Sequence, residues 1–573
     1  MAQDEGEGEG EEDMLDLITP SFVLGHLYHD AKPLMFGIII SIIFAIKIFK
    51  NKMSIRKKLY YILLPLIISL VMTLISNAPS PKRAYFLNLL YGDEPIQSEH
   101  IHRNENGWMF SGSTVINIHD KPHIFVGGGD KQKDQLLLFE NSKFINLIDE
   151  TILSDDSNTL SAVSFDMDND GKDDLIVGRT NGVYMYKHMN GYIFEKIRII
   201  GKEDKVPLAI SVSDYNKDGK PDIYISYFTH LKKYRGTVFN DKNHGRKNVL
   251  LKNSKVGFID VTKNTNAGGS QYNTFTSSFI DLNGDDWVDL VLAHDSGEIE
   301  ILKNNEGKFE SILANEYKGN WMGLASGDID NDGDQDLFLT NIGSDTRRDK
   351  LSLGDVKKGQ KQAFKHFLLR NDGNFKFTEI SKDMGIDGKG FGWGAVMTDL
   401  DADSDLDLLF AENTKLFPLH HVNPKPGHVY SMDKGKFTRK MKYFNRYFGQ
   451  TPLLADINDD NRKDVIWINM NGPVNAYINK NNDNNYIVVD LPSNNKFVNA
   501  KVVLDTGKKK FYKENVQGGT GMGSDGSNKL FFGLGKTNKI KAIRIHTIHN
   551  DTYTIKNPKI NSVIKGIKNA IRS

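Results

Sequence analysis

The sequence predicts a mainly β chain whose bulk is one small unit repeated many times. Three observations predict it. An acidic loop occurs six times, each copy runs into a short apolar strand, and a hairpin with a polar turn follows most copies.

The loops read DMDNDGKDDLIV from Asp166, DYNKDGKPDIYI from Asp214, DLNGDDWVDLVL from Asp281, DIDNDGDQDLFL from Asp328, DLDADSDLDLLF from Asp399 and DINDDNRKDVIW from Asp456. Positions one, three, five and nine carry a side-chain oxygen in every copy. They are Asp166, Asp168, Asp170 and Asp174; Asp214, Asn216, Asp218 and Asp222; Asp281, Asn283, Asp285 and Asp289. The later three sets are Asp328, Asp330, Asp332 and Asp336; Asp399, Asp401, Asp403 and Asp407; Asp456, Asn458, Asp460 and Asp464. A hard cation such as calcium takes six to eight oxygens at about 2.3–2.6 Å, and alternate residues of a tight loop can turn theirs inward together. The backbone carbonyl of position seven adds one more, from Lys172, Lys220, Trp287, Asp334, Asp405 and Arg462. Up to six calcium ions are therefore expected, one per loop. An EF-hand is excluded. It needs a bidentate Glu at position twelve and flanking helices, whereas position twelve here is Val177, Ile225, Leu292, Leu339, Phe410 or Trp467.

Hairpins follow, as in LLKNSKVGFIDVT (250–262), ILKNNEGKFESIL (301–313) and LLRNDGNFKFTEIS (368–381). Each unit then holds about four short strands, and four-stranded units repeated around an axis make a β-propeller. VINIHDKPHIFVGGG (115–129) matches the strand pattern without the acidic loop. Counting it predicts a seven-bladed β-propeller; leaving it out predicts six blades.

Ahead of the repeats stand two apolar stretches, 33–49 and 59–76, each close to the minimum length for crossing a bilayer. Between them lie Lys50, Lys52, Arg56, Lys57 and Lys58, which place that loop in the cytoplasm and everything after residue 77 outside. A secretory signal ending at Ala78 is disfavoured by the proline that follows at once. The expected organisation is an acidic tail (1–30), a transmembrane hairpin (31–78), a linker (79–104), the propeller (105–480) and a small β-rich domain (481–573).

Net charge is zero, which gives no general attraction to nucleic acid, but charge is unevenly spread. Residues 4–16 hold eight carboxylates and no base, and residues 496–573 hold sixteen Lys/Arg against four Asp/Glu. No nucleic-acid partner is expected; an anionic or glycan surface polymer or a protein is. The chain has no cysteine, so neither disulfides nor thiolate chemistry is available.

The loops and hairpins together resemble the FG-GAP/VCBS repeats of the integrin α-chain type of propeller, a resemblance that implies calcium in the loops. Trp321-Met322-Gly323 and Phe391-Gly392-Trp393-Gly394, just before two loops, are similar to bacterial members whose repeats precede an ASPIC/UnbV domain. NNYIVVDL (484–491), the glycine-rich turn QGGTGMGSDG (517–526), LFFGLG (530–535) and IKAIRIH (540–546) extend that resemblance to the tail. Together with the apolar stretches and their basic loop, it leads to the expectation of an extracytoplasmic, membrane-anchored interaction or adhesion module, or an envelope scaffold.

A carbohydrate-active enzyme on the same propeller is the alternative. An active site occurs once per domain and these clusters once per unit, so no catalytic residue is assigned and a non-enzyme is expected. His420, His421 and His428 could gather around a transition metal, but their spacing fits no helix or strand, and a surface loop is the plainer expectation. Trp321 and Trp393 are expected to pack between units.

Overall fold

In this computed structural model the described residues are Leu63, 95–101 and 110–572, less 130–131, 236–237, 242, 343–354, 387, 389, 414–426, 446, 481–482, 520, 527–528 and 568–569. Compactness divides the chain into residues 1–90 with 421–423, and residues 91–420 with 424–573. The acidic tail, both apolar stretches apart from Leu63, His420 and His421 lie outside the described residues. No helix among those described is long and apolar enough to cross a membrane.

The second unit is a β-propeller with a small β domain. Six sheets take four strands in chain order, beginning at Ser113–Ile118, Thr159–Phe165, Lys205–Ser213, Asn273–Ile280, Leu324–Gly327 and Phe391–Thr398. A further sheet joins Phe448–Ala455 and Asp464–Tyr477 to Ile96–Ile101. Ile96 pairs with Ala476 and Ile101 with Gly472, antiparallel. Residues 96–101, expected in a linker, are therefore a strand that joins the start of the chain to the last repeat. An isolated IQSEHI carries no repeat signal, so only pairing reveals it.

Burial explains the sequence pattern. The first two strands of a sheet lie between neighbouring sheets, and Thr159–Phe165, Asp174–Arg179 and Asp222–Thr229 are buried at every residue. They read as apolar runs rather than alternations for that reason. The fourth strands reach solvent, and Lys308–Leu313 buries only Phe309. First strands carry a β-bulge at a recurring place, between Thr159 and Ser161, Pro207 and Ala209, and Thr274 and Thr276. Bulges increase local twist, which suits a strand at a crowded axis.

The C-terminal domain has a three-stranded sheet of Lys529–Gly535, Asn485–Asp490 and Val563–Lys565, and a five-stranded sheet that includes Lys501–Asp505 and Lys510–Glu514. Ile487, Val489, Val502, Leu504, Ile543 and Ile545 fill the core between them.

The segment 517–526 leaves this domain and enters the propeller. Gln517 and Gly518 pair with Val212 and Ser211, and Ser524 and Asp525 pair in parallel with Ser113 and Thr114. Leu324 and Gly521 exchange backbone hydrogen bonds of 3.2 and 3.0 Å, the Ala162 N–H donates to Gly523 O at 3.2 Å, and Gln450 Nε2 donates to Met522 O at 3.2 Å. Thr276 Oγ1 also donates to Gly519 O at 3.1 Å, so first strands of six sheets contact one short segment, which fills the space they share. Glycine is required there. Gly519 has φ +68, and a Cβ on it would stand 1.6 Å from Ser277 O.

Gly519→Ala should therefore cost at least about 3 kcal/mol, since overpacking alone costs roughly 1–3 and left-handed strain adds to it. Gly201→Ala, with nothing within 4 Å of its Cβ, should change little. Denaturant unfolding in saturating calcium compares the two; equal stabilities would mean the segment does not sit as described.

Candidate metal centres

Each acidic loop follows a first strand and opens a second. The carboxylates at positions one and nine are buried in all six: Asp166, Asp214, Asp281, Asp328, Asp399 and Asp456, then Asp174, Asp222, Asp289, Asp336, Asp407 and Asp464. Positions three and five are half-buried or exposed, so each cluster faces outward over a buried base.

Backbone N–H groups organise the cluster. In the Asp166 loop, Asp170 N donates to Asp166 Oδ1 at 3.0 Å and Gly171 N to Oδ2 at 2.8 Å. The same pair recurs at Asp214, Asp328, Asp399 and Asp456. Position nine spans the sheet. Its Oδ1 accepts from the third strand's backbone in five loops, from His188, Asn253, Asn304, Asn371 and Met432, and in the last loop from Asn479, just past Asp464–Tyr477, all at 2.7–3.3 Å. Its Oδ2 accepts from position two in five loops, at 2.7–3.2 Å. The exception is buried Asp222, whose Oδ2 has no hydrogen-bond partner among the described residues.

These sets fit a hard cation. Asp166, Asp168 and Asp174 bring oxygens within 4.8 Å of one another, as do Asp328, Asp330 and Asp332, and Asp399, Asp401 and Asp407. The other three loops have Asn at position three. There Asn216, Asn283 and Asn458 donate to the position-five carboxylate at 3.2, 2.7 and 3.0 Å. Such clusters are all-oxygen, with the orphan Asp222 Oδ2 as a further acceptor, the chemistry that suits calcium rather than softer metals. A bound ion would supply positive charge that lets the acids stay ionised. Position seven would contribute only its carbonyl, so Lys172, Lys220, Trp287 and Arg462 need no acidic side chain. Their N–H groups, where Lys172, Trp287, Asp334, Asp405 and Arg462 stand, donate to position five at 2.8–3.0 Å.

Burial, more than any neighbour, raises these carboxyls: Asp166 to about 6, Asp174, Asp328, Asp336, Asp407 and Asp464 to about 7, Asp289 to about 8 and Asp222 to about 9. Unfolded Asp titrates near 3.9. In the ion-free protein their protonated forms stabilise the fold at acid pH, and that stability is lost as pH rises through about 6 to 9. Calcium needs the ionised forms, so it reverses the slope. Melting temperature with chelator should fall from about pH 5 to about pH 9, and in millimolar calcium it should not; parallel curves would contradict the assignment.

Sequence reading missed the residues that join one unit's loop to the next. Asn304 Nδ2 donates to Val288 O at 3.0 Å in its own unit and to Tyr215 O at 2.9 Å in the preceding loop. Asn371 repeats this with Gln335 O and Leu282 O, and Asn479 with Lys463 O and Leu400 O. The signal was the recurring Asn of LKN, LKNN and LRN, which reads as turn chemistry alone. Asn371→Ala would leave buried carbonyls unpaired and should cost roughly 2–3 kcal/mol. The exposed Asn305→Ala should cost little, and urea unfolding of both in calcium would show it.

The aromatic and histidine expectations resolve plainly. Trp321 is buried, its Nε1 donating to Gly297 O at 3.1 Å, and Trp393 is buried against Phe110, Phe275 and Phe391. His428 departs from the expected surface loop: it is buried in the strand Gly427–Asp433 and pairs with Glu412 at 2.7 Å, because strand pairing carries it inward.

The C-terminal domain rests on the loops. Asp166 N donates to Ser493 O at 3.2 Å, Asn495 Nδ2 donates to Asp214 Oδ2 at 3.0 Å, and Asp281 N reaches Glu514 at 3.3 Å. Gly533 lies against Asp399, where a Cβ would stand 1.9 Å from Oδ2, and the Arg462 guanidinium lies over the Tyr486 ring.

Residues 166–225 and 281–339 match the model of an FG-GAP-like repeat, and 490–570 match that of the ASPIC and UnbV domain. The loops at Asp399 and Asp456 fall outside those matches yet repeat the same hydrogen bonds. No match was found among curated proteins. Similar solved structures include an Agrocybe aegerita lectin described as recognising non-reducing terminal N-acetylglucosamine, at 15% identity over 68% of this chain and 94% of that one, TM-score 0.36. The extracellular domain of a putative one-component system from B. thetaiotaomicron shows 10% identity over 84% of this chain and 47% of that one, TM-score 0.40. The Dos1 propeller shows 11% identity over 63% and 76%, TM-score 0.36.

Proposed function

From a chain that carries FG-GAP-like repeats and a C-terminal ASPIC/UnbV domain, we propose a calcium-loaded, seven-bladed propeller that acts as an extracytoplasmic interaction module. The seven sheets of the repeat region are its blades, with Ile96–Ile101 closing the last. The stretches 33–49 and 59–76 anchor it in a membrane, and the propeller works outside, where calcium is millimolar. One observation carries the reading: buried acids at positions one and nine recur in all six loops, and in five of them the position-one acid accepts from the same two backbone N–H groups.

Partner binding falls to the surfaces the C-terminal domain leaves open. That domain rests on the acid loops, and 517–526 fills the axis. The face opposite the loops and the outer strands therefore meet the partner, a protein or a surface polymer, while the basic residues of 496–573 favour an anionic one. The protein is a binder and not an enzyme, because its acids are tied up in repeats.

Sites of this open kind have dissociation constants near 10⁻⁴–10⁻³ M. At about 1 mM calcium each adds roughly 0.4–1.4 kcal/mol, so the set adds several kcal/mol. Chelation of the full-length protein should lower its melting temperature by several degrees and calcium should restore it. Indifference to chelation, or no divalent ion in elemental analysis, would refute the reading.

A further inference from the structure

The third loop departs from the other five, and the departure centres on a lysine of the C-terminal domain. Lys501 Nζ donates to Asp281 Oδ2 and lies 3.4 Å from Asp286 Oδ1. The Asp281 side chain is fully buried. Asp286 occupies position six, where the other loops have Gly171, Gly219, Gly333, Ser404 and Asn461. This loop alone of the six adds a carboxylate there, and that carboxylate faces Lys501.

The loop backbone differs as well. Asp281 Oδ1 accepts from Gly284 at position four, 2.8 Å away. In the other five loops the position-one Oδ1 accepts from position five, at 3.0–3.1 Å. Lys501 is also held in place. It pairs with Glu514 across two strands, and Glu514 accepts from Asp281 N and from Asn499 Nδ2 at 2.7 Å. Asn499 in turn donates to Phe279 O at 2.8 Å and accepts from Ser213 Oγ at 2.7 Å.

Lysines approach other loops differently. Lys172 meets Asp170, Lys187 meets Asp168, and Lys252 meets Asp218, all at half-exposed position-three or position-five carboxylates. On Asp214 the nearest basic group is the His549 imidazole, at 3.5 Å. Only at Asp281 does an ammonium hydrogen-bond to the buried position-one carboxylate among the described residues. A divalent ion sharing that carboxylate would stand beside a fixed positive charge, and like charges at such range repel strongly.

We propose that the Asp281 loop takes no calcium and that the Lys501 ammonium is its permanent cation, tying the C-terminal domain to the propeller independently of calcium. This rests on the reading of the remaining loops as calcium sites, which makes five ions per chain.

Terbium takes the same oxygen sites as calcium, and bound ions can be counted by titration and elemental analysis. The full-length protein should bind five ions. Lys501→Met removes the ammonium and keeps the apolar stem, and it should raise the bound-ion count from five to six. Six ions in the otherwise unaltered chain would overturn the proposal without touching the calcium reading. That count stands even where Lys501→Met fails to fold. Folded Lys501→Met that still binds five ions would overturn it too, whereas no bound ion in any loop would refute the calcium reading and this one with it.

Discussion

The buried carboxylates at positions one and nine of each loop set the terms for everything around them. Removing an ionised carboxylate from water costs several kcal/mol even after relaxation. The fold meets that cost by aiming two backbone N–H groups at each except Asp222, so that position nine alone links the first turn, the second strand and the third strand of its sheet, as at Asp174. What N–H groups cannot supply is net positive charge. Acids that share a cluster must take up protons or hold a cation, and burial, with the neighbouring carboxylates adding to it, pushes Asp222 and Asp289 up.

Two devices then join repeated units into one body. The asparagines at 304, 371 and 479 each bridge carbonyls of adjacent loops, so order in one loop is passed to the next. The C-terminal domain supplies the second device. Its 517–526 segment hydrogen-bonds to first strands around the axis, and its strands carry Lys501 and Glu514 onto the third loop. The small domain is therefore integral to the propeller, and the axis that propellers commonly offer to ligands is filled by the chain itself.

The legible part of the sequence was its periodicity. Oxygen-bearing residues at fixed spacing, an apolar strand after each loop and a polar turn in each hairpin are local rules, and local rules survive in one dimension. The unit at 115–129 lacks the acids but keeps the strand pattern, and its sheet is present. Contacts distant in sequence were not legible. Ile96–Ile101 looked like linker because its partner lies some 370 residues later, and QGGTGMGSDG read as a turn because nothing local says that other strands crowd it.

By itself the sequence determined which residues form the clusters, which strands follow them and that their chemistry is that of oxygen and hard cations, because spacing alone aims those side chains. Only the tertiary structure decided in which clusters the buried position-one acid meets no ammonium and in which it meets a lysine. Asp281 and Lys501 are 220 positions apart, and their pairing depends on how two domains pack, a matter no repeat pattern encodes.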